Sequence, residues 1–532
     1  MKKLLLLCIF TVGMLSSIAQ TLLQSQYKNL QVLEKDLQLA KTPEQKTDAL
    51  ISLFIYHSLH NEPFNLKATV EYQQQMEIFT HQTKNPELIA KALFSLIRPV
   101  RNEEKKKRID RLYEFAKLHN LNYYKALAKT REAEYYFTYQ PDQNKAAQIL
   151  NEAISLTKDL NDSLRTVIIL EAASRYNSMN NHLQALQLAF QANEIASKMK
   201  SVFLLRFCNG IFSSIYRDLK IYNKAIDYQL KELELISKLG HPHILALIHA
   251  GTASNYFRSD QPMLGNYHVA EAYRLADSVK GSKRLYNQIT VPVILAISVS
   301  ENKAELADFL KKYRQHFFIL PGSELDDNLI LSFANSKIGN FDSARLFINK
   351  AGEYLSDKTS AETRKQYFYV FATIAAHDND LNSAGENYKK SLQIALTQND
   401  LPESIQHTDS LKSILVKQNN LPEAVHYYKL GDSLQIELTK QLDKEDITKQ
   451  EVAALEKQKE MEAIEKEKEK NQRYNLQYLG ITFGVVALFI SLLLMGIFKV
   501  SPRVIKILSF FSFLLFFEFI FLIFHKQIEV FT

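Results

Sequence analysis

Small residues recur through the middle of this chain at a near-constant interval, and that interval limits the fold more than any single motif does. Ala146, Ala185, Ala225, Gly265, Ala304, Ala344, Ala384 and Ala424 follow one another at 39 or 40 residues. A second ladder, Tyr136, Tyr176, Tyr216 and Tyr256, keeps an interval of 40, and a third, Ala133, Ala173, Ser213 and Ala253, stands three residues before each tyrosine. Ladders locked in one phase describe a structural unit that repeats. Residues three apart share a helix face, so the small residue and the tyrosine mark one side of a first helix. The next small residue, nine or ten positions on, opens a second helix.

The joints between the two helices are legible. Asn181-His182-Leu183-Gln184, Asn340-Phe341-Asp342-Ser343, Asp380-Leu381-Asn382-Ser383 and Asn420-Leu421-Pro422-Glu423 each put a capping residue ahead of a small residue. Pro422 suits a first helical turn, where its missing donor costs nothing. Composition agrees. Fourteen Gly and twelve Pro in 532 residues are well under half of average usage, about 12% for the two together. Sandwiches and barrels need many tight turns, so an all-α chain is expected, each unit one helix hairpin.

This pattern resembles the tetratricopeptide repeat, which pairs a small residue and an aromatic on its first helix with a small residue on its second. SFANSKIGNFDSARLFINKAGEY (332–354) and AASRYNSMNNHLQALQLAFQANE (172–194) carry the resemblance, which covers 133–431 and, more weakly, 20–132. Two departures stand. The interval is 40 where the family has about 34. The chain has no Trp, and after Tyr256 the aromatic ladder gives way to Leu295, Asn335, Ala375 and Leu415. A HEAT-like solenoid is the alternative.

Residues 20–433 hold room for about ten such units. Stacked, they form a superhelix whose concave face suits extended peptides or protein segments. Helical spacing points Ser174, Asn177, Ser214, Arg217, Ser254 and Arg258 at that face. These six are the candidate partner-binding residues, or else ordinary polar cover for an unburied helix side.

The ends suggest a compartment. Residues 1–19 carry Lys2 and Lys3, an apolar run and then Ser17 and Ala19, the order of a secretory signal peptide. From 434 to 474 the chain lacks Gly and Pro and alternates in charge, which reads as an exposed helix. Ile447, Ala454 and Met461 recur at seven, so it either pairs in a homodimeric coiled coil or stands alone. Residues 478–498 hold no charge and would span roughly 31 Å as a helix. This sets a first membrane helix at 475–499, a basic cytoplasmic turn at 500–506 with Lys506 and Arg503, a second helix at 507–524 and a tail at 525–532. Glu518 is the one acid inside the second span and calls for a partner or a proton. The expected setting is a bacterial inner membrane with the array outside the cytoplasm. The chain is similar in arrangement to the exported half of bacterial membrane-bound tetratricopeptide regulators, which continue into a kinase or DNA-binding domain; no such continuation is expected after the tail.

Other classes find little support. Lys and Arg outnumber Asp and Glu by 65 to 58, but the signs interleave, so no nucleic-acid surface is expected. Cys208 is the one cysteine outside the signal segment, either buried or reactive. His241-Pro242-His243 has no cysteine or carboxylate at ligand spacing and reads as an exposed turn. No phosphate loop, nucleophile elbow or HExxH occurs, so no catalysis, metal or cofactor is expected. The reading that follows is a membrane-anchored adaptor or sensor for a protein partner working with a separate effector. The alternatives are an envelope scaffold and a subunit of a membrane complex.

Overall fold

The computed structural model describes residues 30–60, 66–97, 102–139, 142–238, 240–279, 281–300, 302–320, 323–356, 359–495, 501–507, 509–514 and 516–517. Among them there is no strand. A lone helix α1 (Leu30–Leu39) precedes ten hairpins. The first five are α2 (Pro43–His60) with α3 (Leu66–Gln82), α4 (Pro86–Ile97) with α5 (Asn102–Leu118), α6 (Asn122–Thr138) with α7 (Gln143–Ser155), α8 (Asp162–Ser178) with α9 (His182–Lys198), and α10 (Val202–Asp218) with α11 (Tyr222–Ser237). The rest are α12 (Pro242–Arg258) with α13 (Pro262–Ser278), α14 (Lys283–Val299) with α15 (Lys303–Tyr313), α16 (Glu324–Lys337) with α17 (Phe341–Gly352), α18 (Ala361–His377) with α19 (Leu381–Thr397), and α20 (Leu401–Lys417) with α21 (Leu421–Met495).

The links explain why the interval is 40. Helices α8, α9 and α10 are 17 residues each, and three linking residues bring each of these units to twenty. The link has one recipe. Asn180 takes φ +58°, the backbone N–H of Asn181 donates back to Tyr176 O at 2.9 Å, and the Asn181 side chain caps the next helix by accepting from Gln184 N. One residue therefore ends one helix and starts another. Asn120, Lys200, Lys220, Gly240, Asp260, Asn379, Asn399 and Asn419 repeat the left-handed turn at multiples of twenty or one short of them. Asn and Asp tolerate that region better than most residues, so few glycines are needed.

Packing follows from the small residues. Ala173 on α8 and Ala185 on α9 are fully buried, as are Ala225, Ala344 and Ala384 on later second helices. Gly265 is needed as glycine, because a Cβ there would stand 2.9 Å from the Phe257 ring. Where two alanines let backbones approach, aromatics fill the flanks: the Tyr228 ring stacks on Phe212 at 4.7 Å and on Tyr216 at 5.5 Å. Cys208 is buried in this layer, and burial pushes its thiol up to about 12.

Ala304 departs from the ladder. It is exposed, and the fully enclosed residue of α15 is Leu306. The cap decides this. Every other ladder residue lies four after its N-cap, but here the cap is Asn302, which accepts from Glu305 N, so the fourth position falls on Leu306. Helix α15 is short, and past a turn of 3-10 helix (Arg314–His316) the chain runs extended. There the Asn287 side chain clamps the Phe318 backbone in both directions, at 2.7 and 2.8 Å.

Most first helices of successive hairpins touch each other, among them α6 with α8, α8 with α10, α12 with α14 and α16 with α18 but not α10 with α12 or α18 with α20, whereas second helices make no comparable contact. The array therefore closes toward its first helices, and their free sides line the inner face.

Helix α21 runs unbroken through Ser433, so the expected division there coincides with no change of secondary structure. The chain divides into compact units at residues 448 and 449. Among the described residues no helix is long and apolar enough to cross a membrane, so the expected two-helix membrane hairpin is not found there. Both expected spans run into residues outside the described set, and the expected signal peptide (1–19), Glu518 and the tail lie outside it altogether.

Candidate functional site

On α8 the residues opposite the buried stripe Leu164, Ile168, Ala172 and Tyr176 face inward; on α10 the same holds opposite Leu204, Cys208, Phe212 and Ile215. Between them opens a cavity of about 160 Å³. Val167 and Leu170 form one wall, Leu204, Phe207 and Ile211 the other, and Ser174, Glu171 and Arg175 complete it. Small-molecule pockets run to about 300–1,000 Å³. This one is the size for a single apolar side chain.

A closed ring of charge adjoins it. Arg131 on α6 reaches Glu134 at 3.0 Å and Glu171 at 3.2 Å; Arg175 reaches the same two carboxylates at 3.0 and 3.4 Å. Lys105 from α5 adds a contact of 2.7 Å to Glu134. Burial alone would raise the Glu134 carboxyl, but Arg175, Arg131 and Lys105 together hold it at about 2. Two arginines and two glutamates in alternation pin α6 to α8 and fix the rim of the cavity.

The six residues expected at the inner face have different fates. Ser174 lines the cavity. Asn177 is buried and donates from Nδ2 to Asp218 at 2.6 Å and to Ser214 Oγ at 3.4 Å. Ser214 also accepts from Arg217 at 2.9 Å, and Arg217 Nε pairs with Asp218 at 3.1 Å. These residues meet as one chain of hydrogen bonds across α8 and α10. Arg258, at the end of α12, is half-buried beside Arg217, and its guanidinium makes no hydrogen bond or ion pair among the described residues. Ser254 does not belong. It is buried and donates to Ala250 O within its own helix at 2.9 Å, a satisfied core hydroxyl.

Sequence reasoning missed the apolar wall and the ring. Their signal was an interval of 40 across first helices: Arg131 and Glu171 stand 40 apart, as do Glu171 and Ile211. The His241-Pro242-His243 turn also needs correction. His241 occupies the N-cap of α12 and His243 its first turn, half-buried, with burial pushing His243 down to about 4. Among the described residues no cluster of His, Cys, Asp or Glu could hold a metal ion. A second cleft of about 270 Å³ lies between α3, α4 and α5, lined by Leu93, Leu96 and Phe115 with Glu77 and Arg111 at hand.

No family model matches the chain, and no curated protein does. Among solved structures it is similar to a Rap protein complexed with competence and sporulation factor, at 13% identity and a TM-score of 0.39, covering 75% of this chain and 100% of that one. Aspartyl phosphate phosphatase F from Bacillus subtilis is similar at 14% identity and 0.40, covering 74% and 95%. A signal-transduction ATPase with numerous domains and a tetratricopeptide repeat sensor, from Pyrococcus horikoshii, is similar at 15% identity and 0.35, covering 76% and 68%. These neighbours are helical-repeat proteins of the tetratricopeptide kind. Superpositions this loose do not themselves define the fold; the hairpins and their links do.

Proposed function

We propose that this chain is a non-catalytic, membrane-tethered adaptor whose hairpin array holds an extended segment of a partner polypeptide along its inner face. The observation that carries this reading is the cavity between α8 and α10. It is apolar on both walls, sized for one side chain, and its rim is held by the ring of Arg131, Glu134, Glu171 and Arg175. A rigid pocket on a surface of stacked helices suits a peptide better than a metabolite.

The tether rests on sequence: the apolar runs 478–498 and 507–524, the signal-like start and the basic turn between the runs. In this reading the array stands outside the cytoplasm of a bacterium and acts with a separate effector. A photo-crosslinking residue at Ile211, on the cavity wall, is expected to capture a polypeptide in cells. The same residue at Tyr267, exposed on second helix α13, is expected to capture none. Equal capture at both positions, or none at Ile211, refutes the groove. Protease added outside the cytoplasmic membrane is expected to cut the array; protection of it refutes the orientation.

A further inference from the structure

Resting on the groove reading above, a second subsite follows from a charge left over at its turn end. Asp218 has a partner on each carboxylate oxygen, Asn177 at 2.6 Å on one and Arg217 at 3.1 Å on the other. That arrangement offsets Arg217 and leaves Arg258 beside it with no direct ion pair among the described residues, Asp218 acting on it only at longer range. Burial weakens the hold of the Arg258 guanidinium on its proton, and Arg217 adds to this, while Tyr222 and Asp218 act the other way. A half-buried cation is costly unless paired. Two guanidiniums and one carboxylate leave a single positive charge, which matches one carboxylate and not a dianionic phosphate.

Geometry relates this charge to the cavity. Ile211 and Arg217 are six residues apart on α10, about 9 Å along the axis at 1.5 Å per residue. Arg258 ends α12, which packs on α11 and makes no comparable contact with α10, and its guanidinium stands beside that of Arg217. The rise along α10 is the least separation of the two subsites, and an extended chain covers it in about three residues at 3.3 Å each.

We propose that the groove reads two side chains of its partner: an apolar one seated between α8 and α10, and, at least about three residues along, an internal Asp or Glu whose carboxylate pairs with Arg258 beside Arg217. Asn177 and Ser214 position Arg217 and Asp218, so that the charge presented to the ligand is that of Arg258.

The test uses the full chain in detergent and synthetic peptides, N-acetylated and C-amidated, of glycine and serine carrying one Leu and one Asp at every separation from adjacent to about six residues. Fluorescence anisotropy is expected to show tightest binding at one separation of about three residues or more and weaker binding at shorter ones. Replacing that Asp by Asn weakens binding about tenfold, and Arg258→Gln abolishes the Asp-over-Asn preference. If Asp and Asn peptides bind alike, or the preference survives Arg258→Gln, the acidic subsite is overturned. In that event, binding that still depends on Leu and is lost in Ile211→Asp, or in the milder Ile211→Ser, leaves the groove standing. Absence of binding by every peptide, or binding indifferent to Ile211, overturns the groove and the subsite with it.

Discussion

Glu134 gives the most quantitative handle on the array, because one carboxylate answers to Arg131, Arg175 and Lys105 at once. Its carboxyl is held at about 2 against an ordinary value of 4.5, a difference worth at most about 3.4 kcal/mol of stability at neutral pH. A folded value below the unfolded one means that this stability is fully present above about pH 4.5 and drains away as pH falls toward 2; about 1.4 kcal/mol is left at pH 3. Glu134→Gln keeps the shape and removes the charge. The contribution is local to the α6–α8 contact, and a stack of hairpins need not unfold in one step, so hydrogen exchange of the α6 and α8 amides is the fitting assay. At pH 7 the variant is expected to exchange about 30- to 100-fold faster there than wild type, with α18 and α19 unchanged; at pH 3 the ratio shrinks to less than about tenfold. Equal exchange at pH 7, or a ratio that does not fall with pH, refutes the ring as a clamp.

Three further outcomes follow from the packing. Ala225→Leu, at a fully buried ladder position, is expected to cost about 1–3 kcal/mol by overpacking, whereas Ala304→Leu, at the exposed one, stays within about 0.5 kcal/mol; thermal melts of the two variants separate them. Asn180→Val, forced to hold φ +58°, is expected to lower stability by about 1–2 kcal/mol while Asn180→Gly is near neutral, read as urea midpoints. His249 and His268 share a hydrogen bond of 2.8 Å between their Nδ1 atoms, and burial, with His249 beside it, pushes His268 down to about 4. Because the unfolded chain takes the proton first, exchange protection of α12 and α13 is expected to fall as pH drops from about 6.5 to 4, and His268→Asn to flatten that dependence.

How far the sequence carried can be read at three places. At Asn180 and Asn181 everything needed was local: a left-handed residue, a cap, and seventeen helical residues on either side. Any element defined by its own links recurs wherever they recur, which is why the interval of 40 and the all-α hairpins were legible from composition and spacing alone. At Ala304 and Ser254 the spacing was right and the reading wrong. A ladder counted along the chain fixes which turn of a helix a residue occupies, but a cap shifted by two residues rotates the helix by about 200° and turns Ala304 outward in favour of Leu306. Ser254 shares its interval with Ser174 and Ser214, yet α12 is rotated so that its hydroxyl meets only its own backbone. The cavity wall failed for the opposite reason. Val167, Leu170, Phe207 and Ile211 look like core in a linear pattern, and only the contact of α8 with α10 along one side makes them the lining of an opening. Polar residues were sought at the inner face because polar residues cover surfaces, whereas a surface that holds another chain keeps apolar ground uncovered until its partner arrives.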